Sequence, residues 1–129
     1  TTARDLARFG LLVLGRGRWG NEVVHSDYKY LSAALSPSQQ MNPAYGYLWW
    51  LNGQTATLSG QRRVRGPLNS EAPTDLVAAL GALGRKCYVV PSLGVVVTRL
   101  GDNPEVVGQT KFDVEFWSLL MKAAPPIRE

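Results

Sequence analysis

With 129 residues, 45% of them hydrophobic and 19% charged, the chain has the size and composition of one globular domain with a real core. A single cysteine excludes an internal disulfide, and no apolar run reaches the length needed to span a bilayer. The formal charge of +4 is densest at Arg62-Arg63-Val64-Arg65. Aromatics are not interleaved there as a single-strand stacking platform requires, so a solvated loop or edge is expected and no nucleic-acid partner.

The first residues carry neither a methionine nor a signal-peptide core, and the chain is expected to start downstream of its gene's start. Thr2 followed by Asp5 has the spacing of a capping box, which predicts a helix from there to about Leu14. Gly15 is read as its left-handed stop. Arg16 to Asn21 reads as a glycine-rich turn and Glu22-Val23-Val24 as a small edge strand. Ser26 is the expected N-cap of a second helix, with Asp27 in its first turn, ending near Leu35 before Pro37. Ser36 to Pro43 is polar loop, and Tyr45 to Leu51 is strand-like, with aromatics that either line a pocket or fill a core. Asn52-Gly53 signals a turn, and Gln54 to Ala72 predicts short irregular strands at most.

The densest β-forming sequence follows. Leu76 to Leu80, Cys87 to Val90 and Val95 to Leu100 are apolar runs, the last two joined by the turn Pro91-Ser92-Leu93-Gly94. Gly81 and Gly84 interrupt the backbone between the first two, where a ligand is one candidate for close approach. The runs are nearly continuous rather than alternating, which predicts strands covered on both faces. Thr110 and Asp113 repeat the capping-box spacing, and the final helix carries Phe112, Phe116, Leu119, Leu120 and Ala123 on one face until Pro125-Pro126. The expected class is α+β. One closing helix covers one sheet face, so the other face is expected to need a partner outside this chain.

Chemistry is sparse. His25 and Cys87 stand alone, so no metal cluster, no cofactor and no Ser-His-Asp or Cys-His constellation is expected, and Cys87 reads as a buried structural thiol. Ser26-Asp27-Tyr28-Lys29 matches S-x-x-K, but a helix cap already accounts for Ser26. Asp75, Asp102, Glu105, Asp113 and Glu115 have cap, turn or surface explanations rather than a paired-carboxylate one.

Five segments in order resemble the C-terminal half of the serine β-lactamase-related hydrolases, the family of class C β-lactamases, D-alanyl-D-alanine carboxypeptidases and related esterases: residues 3–10, 17–19, 45–50, 81–85 and 89–101. The resemblance implies the C-terminal part of a penicillin-binding (transpeptidase-like) fold. Residues 1–72 would be the end of a helical sub-domain with its connections, and 73–129 the last strands of a five-stranded antiparallel sheet with the C-terminal helix. It implies serine hydrolysis of an ester, amide or β-lactam bond. The nucleophile and base would lie in an N-terminal half that becomes the natural partner, beside a small-molecule substrate and possible oligomers. A periplasmic or secreted setting is a family-level implication.

The family's third motif falls on Ala79-Leu80-Gly81, so that Ala82 would lend its backbone amide to an oxyanion hole. Ala79 departs from the family's usual cation or histidine, which weakens carboxylate recognition and favours ester or amide hydrolysis. Arg85, Tyr45 and Trp49 are candidate cleft residues. The competing expectation is a non-catalytic binding or scaffold protein of the same fold, and a third is anion binding through Arg62, Arg63 and Arg65.

Overall fold

The computed structural model describes residues 1–59, 62–102 and 109–123, and the statements that follow concern these residues. It is a mixed α+β structure with antiparallel sheets and three helices. The first helix, α1 (Ala3–Leu14), starts at the predicted capping box: the Asp5 N–H donates to Thr2 Oγ1 at 3.2 Å and the Thr2 N–H donates to Asp5 Oδ2 at 2.9 Å. Its stop differs from expectation. Gly15 has a φ of −75°, and the left-handed positions are Arg16 and Gly17, one residue and two residues later. What would be a featureless turn contains β1 (Arg18–Trp19), paired antiparallel with β2 (Glu22–Val23).

The second helix, α2 (Tyr28–Ala34), is capped by Asp27, whose carboxylate accepts from the Tyr30 N–H at 2.9 Å. Ser26 is therefore not the cap; Asp at the next position is as good a cap and has the extra favour of the helix dipole. Tyr45 to Leu51 is not one strand either. Tyr45 bridges Trp50 across a tight reversal at residues 46–49, leaving only β3 (Trp50–Leu51) as strand. The Gln54–Ala72 connection is more regular than its sequence suggests, since β4 (Ala56–Ser59) and β5 (Arg62–Arg65) form an antiparallel hairpin in register from Ala56↔Arg65 to Ser59↔Arg62.

The main sheet has the order β3-β6-β7-β8, built from β3, β6 (Val77–Leu80), β7 (Lys86–Val90) and β8 (Val95–Arg99), all antiparallel. Among the described residues it has four strands: β6, β7 and β8 lie where the three final strands were expected, and the short β3 is added beside β6. The predicted β7–β8 hairpin is present, with Gly94 left-handed at a φ of 61°. Its turn is held to the start of β6 by Asp75, which accepts from the Ser92 N–H at 2.6 Å and the Ser92 hydroxyl at 2.8 Å.

The sheet separates two apolar clusters with the period of two that strands impose. Val77, Cys87, Val89 and Val96 face Val13, Leu6 and Leu14 of α1, together with Trp49 and Ala34. Ala78, Tyr88, Val90 and Val97 face the other way, onto Trp117, Phe116 and Leu120 of α3 (Gln109–Ala123). Both faces are thus covered from within the chain, which overturns the expectation of an unfilled face: α1, far away in sequence, supplies the second layer. Gly10 makes that approach possible. A Cβ there would stand 2.5 Å from Val96 Cγ1 and 2.9 Å from Cys87 Sγ.

The apolar stripe of α3 also differs from expectation. Phe112 and Leu119 are exposed, and the fully buried residue is Trp117. The sequence-predicted cap at Thr110 is not one, because α3 already starts at Gln109 and position 110 is inside it; the proline stop at 125–126 lies outside the described residues. Asp113 is no cap: its carboxylate pairs with Lys86 Nζ and accepts from the Tyr88 hydroxyl at 3.0 Å, joining α3 to β7. Lys86 is only 7% exposed, so this is an ion pair largely removed from water. Asn52 performs a comparable task for the connection. Its amide donates to the carbonyls of Asn69, Ala72 and Pro73 at 2.9–3.2 Å, and its oxygen accepts from the Asn69 N–H at 2.8 Å.

Candidate functional site

On the α1 side of the sheet, beside β6, lies an open cavity of about 610 Å³. Five parts of the chain build it. Phe9, Leu12 and Val13 come from α1; Val24 and His25 follow β2; Tyr30, Leu31 and Ala34 come from α2; Tyr47, Leu48 and Trp49 come from the reversal before β3, with Ala79 of β6 behind them. No Asp, Glu, Lys or Arg lines it. Its rings are organised in pairs: Phe9 stacks on Trp49 with centroids 6.0 Å apart, His25 meets Tyr30 edge-on at 5.8 Å, and Tyr30 lies 6.0 Å from Tyr47.

Two local features fix this wall. Gly17 has a φ of 84°, and a Cβ there would collide with the His25 carbonyl, so the chain after β2 can close against the end of α1 only with glycine at this position. Leu48 has a φ of 64° while 80% exposed. A leucine in the left-handed region costs on the order of 1–3 kcal/mol, and burial of its side chain gives nothing back. His25 Nε2 is buried without a hydrogen-bond partner among the described residues.

The candidates from the sequence divide around this cavity. Trp49 and Ala79 line it. Tyr45 does not; it packs edge-on against Trp50, centroids 4.9 Å apart. Leu80 has the opposite strand parity to Ala79 and is half exposed. Gly81 ends β6 in a turn whose bonds are the Gly81 N–H to the Arg85 carbonyl at 2.8 Å and the Arg85 N–H to the Ala82 carbonyl at 3.3 Å. Neither bond uses the Ala82 N–H, and Ala82 is exposed. Leu83 and Gly84, at φ 59° and 72°, complete the turn, while the Arg85 side chain is exposed outside the cavity.

Ser26 and Lys29 are both exposed and neither reaches the cavity wall. Cys87 is fully buried, and that burial pushes its thiol up to about 11, so it is no nucleophile at neutral pH. Among the described residues no cluster of three or more His, Cys, Asp or Glu side chains could hold a metal, and no helix is long and apolar enough to cross a membrane. The arginines of β5 are all exposed on a two-stranded ribbon.

Sequence reasoning missed the contributions of Phe9, His25 and Tyr30. Phe9 falls on the apolar side of α1 and reads as core; His25 and Tyr30 stand in a stretch too short for periodicity to assign a face. The Lys86–Asp113–Tyr88 cluster was also missed, because opposite charges separated by 27 positions carry no local signal. Burial first, then the charge of Asp113 and the hydrogen bond to it, push the Tyr88 hydroxyl upward, so it remains a donor. Comparisons with protein-family models, curated proteins and solved structures find no match to this chain.

Proposed function

We propose that this chain is the C-terminal portion of a serine hydrolase related to the β-lactamases and D-alanyl-D-alanine carboxypeptidases, cleaving ester or amide bonds through an acyl-enzyme formed on a serine upstream of Thr1. The observation that carries the reading is the end of β6: Ala79 faces the cavity, and three residues on, Ala82 is exposed and its N–H takes no part in the two bonds that close the turn. A backbone donor aimed at a developing oxyanion contributes several kcal/mol, about 3 in typical cases, whatever the side chain. An antiparallel sheet with helices on both faces is consistent with the C-terminal part of the proposed fold, whose remaining strand or strands the upstream half would supply. The N-terminal half would supply nucleophile and base, and this chain one wall of the cleft.

A second reading, a non-catalytic protein of the same fold, is favoured by Ala79, which brings a methyl group where the family has a cation or histidine. One experiment separates them. The longer protein, with the sequence upstream of Thr1, is incubated with a fluorophosphonate and separately with a β-lactam, and any adduct is located by intact mass and peptide mapping. An adduct on an upstream serine is expected. No adduct on a folded protein moves the assignment to the non-catalytic reading, and an adduct on Ser26 overturns both.

A further inference from the structure

The geometry points to the cavity beside β6 as a binding site for a neutral, planar aromatic small molecule. This inference concerns the 129-residue chain itself and does not depend on the hydrolase reading. Its volume of about 610 Å³ lies within the range of about 300–1,000 Å³ found for small-molecule sites. The wall is concave and has no cationic side chain to pair with an anion, and it gives apolar faces to a ring.

The rings of Phe9, Tyr30 and Tyr47 stand about half exposed around it instead of turning into the core, with the nearly buried Trp49 behind them. Exposed rings gathered in a concave wall are the arrangement of a ligand-binding groove. Leu48 is the second, independent observation. Its left-handed backbone and near-complete exposure hold an apolar side chain at the cavity mouth, where folding gains nothing from it, and strained residues of this kind gather at ligand clamps. A flat protein partner would need a flat surface; a concave wall of paired rings suits a ligand of ring size.

The probe is N-phenyl-1-naphthylamine, which is neutral and brightens in apolar sites, compared with its sulfonated analogue 8-anilinonaphthalene-1-sulfonate. The chain should bind the neutral probe saturably, one per molecule, and at least tenfold more tightly than the sulfonate. Ala79→Phe, which fills the cavity from the sheet side, should abolish this. Leu48→Gly should weaken it at least fivefold while raising the melting temperature, a split that a merely structural leucine would not give. Circular dichroism of each variant establishes that it is folded. No saturable binding by the folded wild-type chain overturns the inference, as does binding that survives both substitutions. A dimer that Leu48→Gly dissociates also overturns it, because the occupant is then a second copy of the chain.

Discussion

Single residues decide how closely the layers approach, and Gly10 is the clearest case. In a helix interior alanine is better than glycine by about 1 kcal/mol, so local propensity alone predicts that Gly10→Ala stabilises. The close Val96 and Cys87 side chains reverse the sign, since overpacking a filled core costs about 1–3 kcal/mol. Urea denaturation should therefore show Gly10→Ala less stable by about 1 kcal/mol or more, and the loss should shrink in a Val96→Ala background. Equal losses in both backgrounds would place the effect elsewhere. Cys87 gives a pH prediction from the same contact. Its thiol is raised by burial to about 11 from an ordinary 9.0. Its contribution to stability is whole below pH 9 and is lost as pH rises towards 11, because the unfolded chain then releases a proton that the folded chain keeps. Over that window the wild type should lose on the order of 2 kcal/mol from this group. Cys87→Ala, less stable at pH 8 for lack of packing, should lose correspondingly less between pH 8 and pH 11.

At the scale of elements, the sequence was most informative where the signal is local. The capping box of α1, the proline-to-glycine turn between β7 and β8 and the breaks at Gly81 and Gly84 were all legible because each depends on backbone chemistry within a few residues. The second layer over the sheet was not, because the complementarity of α1 and β8 spans most of the chain. Nor was the role of Asp113. Thr110 and Asp113 have cap spacing, yet the carboxylate is used across the interface by Lys86 and Tyr88. That assignment predicts asymmetric mutants. Asp113→Ala leaves a nearly buried ammonium and a buried phenol without their acceptor and should cost about 3 kcal/mol. Lys86→Met combined with Asp113→Leu removes both charges and should recover most of that loss, because a desolvated ion pair is often close to neutral against apolar residues of similar volume. Denaturant midpoints of the two variants at pH 7 test this; a double variant as unstable as Asp113→Ala would mean that the Tyr88 bond, not the ion pair, is what holds α3.

At the scale of the whole molecule, the faces of the sheet are closed, and among the described residues its edges carry no further strand. Among the described residues β8 has a strand partner only on the β7 side, and β3 at the opposite edge is two residues long. Val95-Val96-Val97 give β8 a flat, β-branched edge with no charged side chain before Arg99. Proteins normally blunt such an edge with lysine, proline or a bulge. The candidate site was half legible for a related reason: Ala79 and Trp49 were named from motifs, whereas Phe9, His25 and Tyr30 join them only once α1 and α2 fold over β6. With its faces covered and no described strand beyond β8, the sheet should associate edge to edge, and the association should respond to charge on that strand and not to changes around the cavity. Val95 is half-buried at the start of β8 and belongs to neither apolar cluster, so Val95→Lys adds a gatekeeping charge without opening the core. Sedimentation velocity at rising concentration should show the 129-residue chain forming larger species and Val95→Lys remaining monomeric. If the wild type stays monomeric throughout, the open edge is protected by something other than its sequence; if both variants associate equally, the contact lies off β8, and the exposed rings around the cavity become the surface to mutate next.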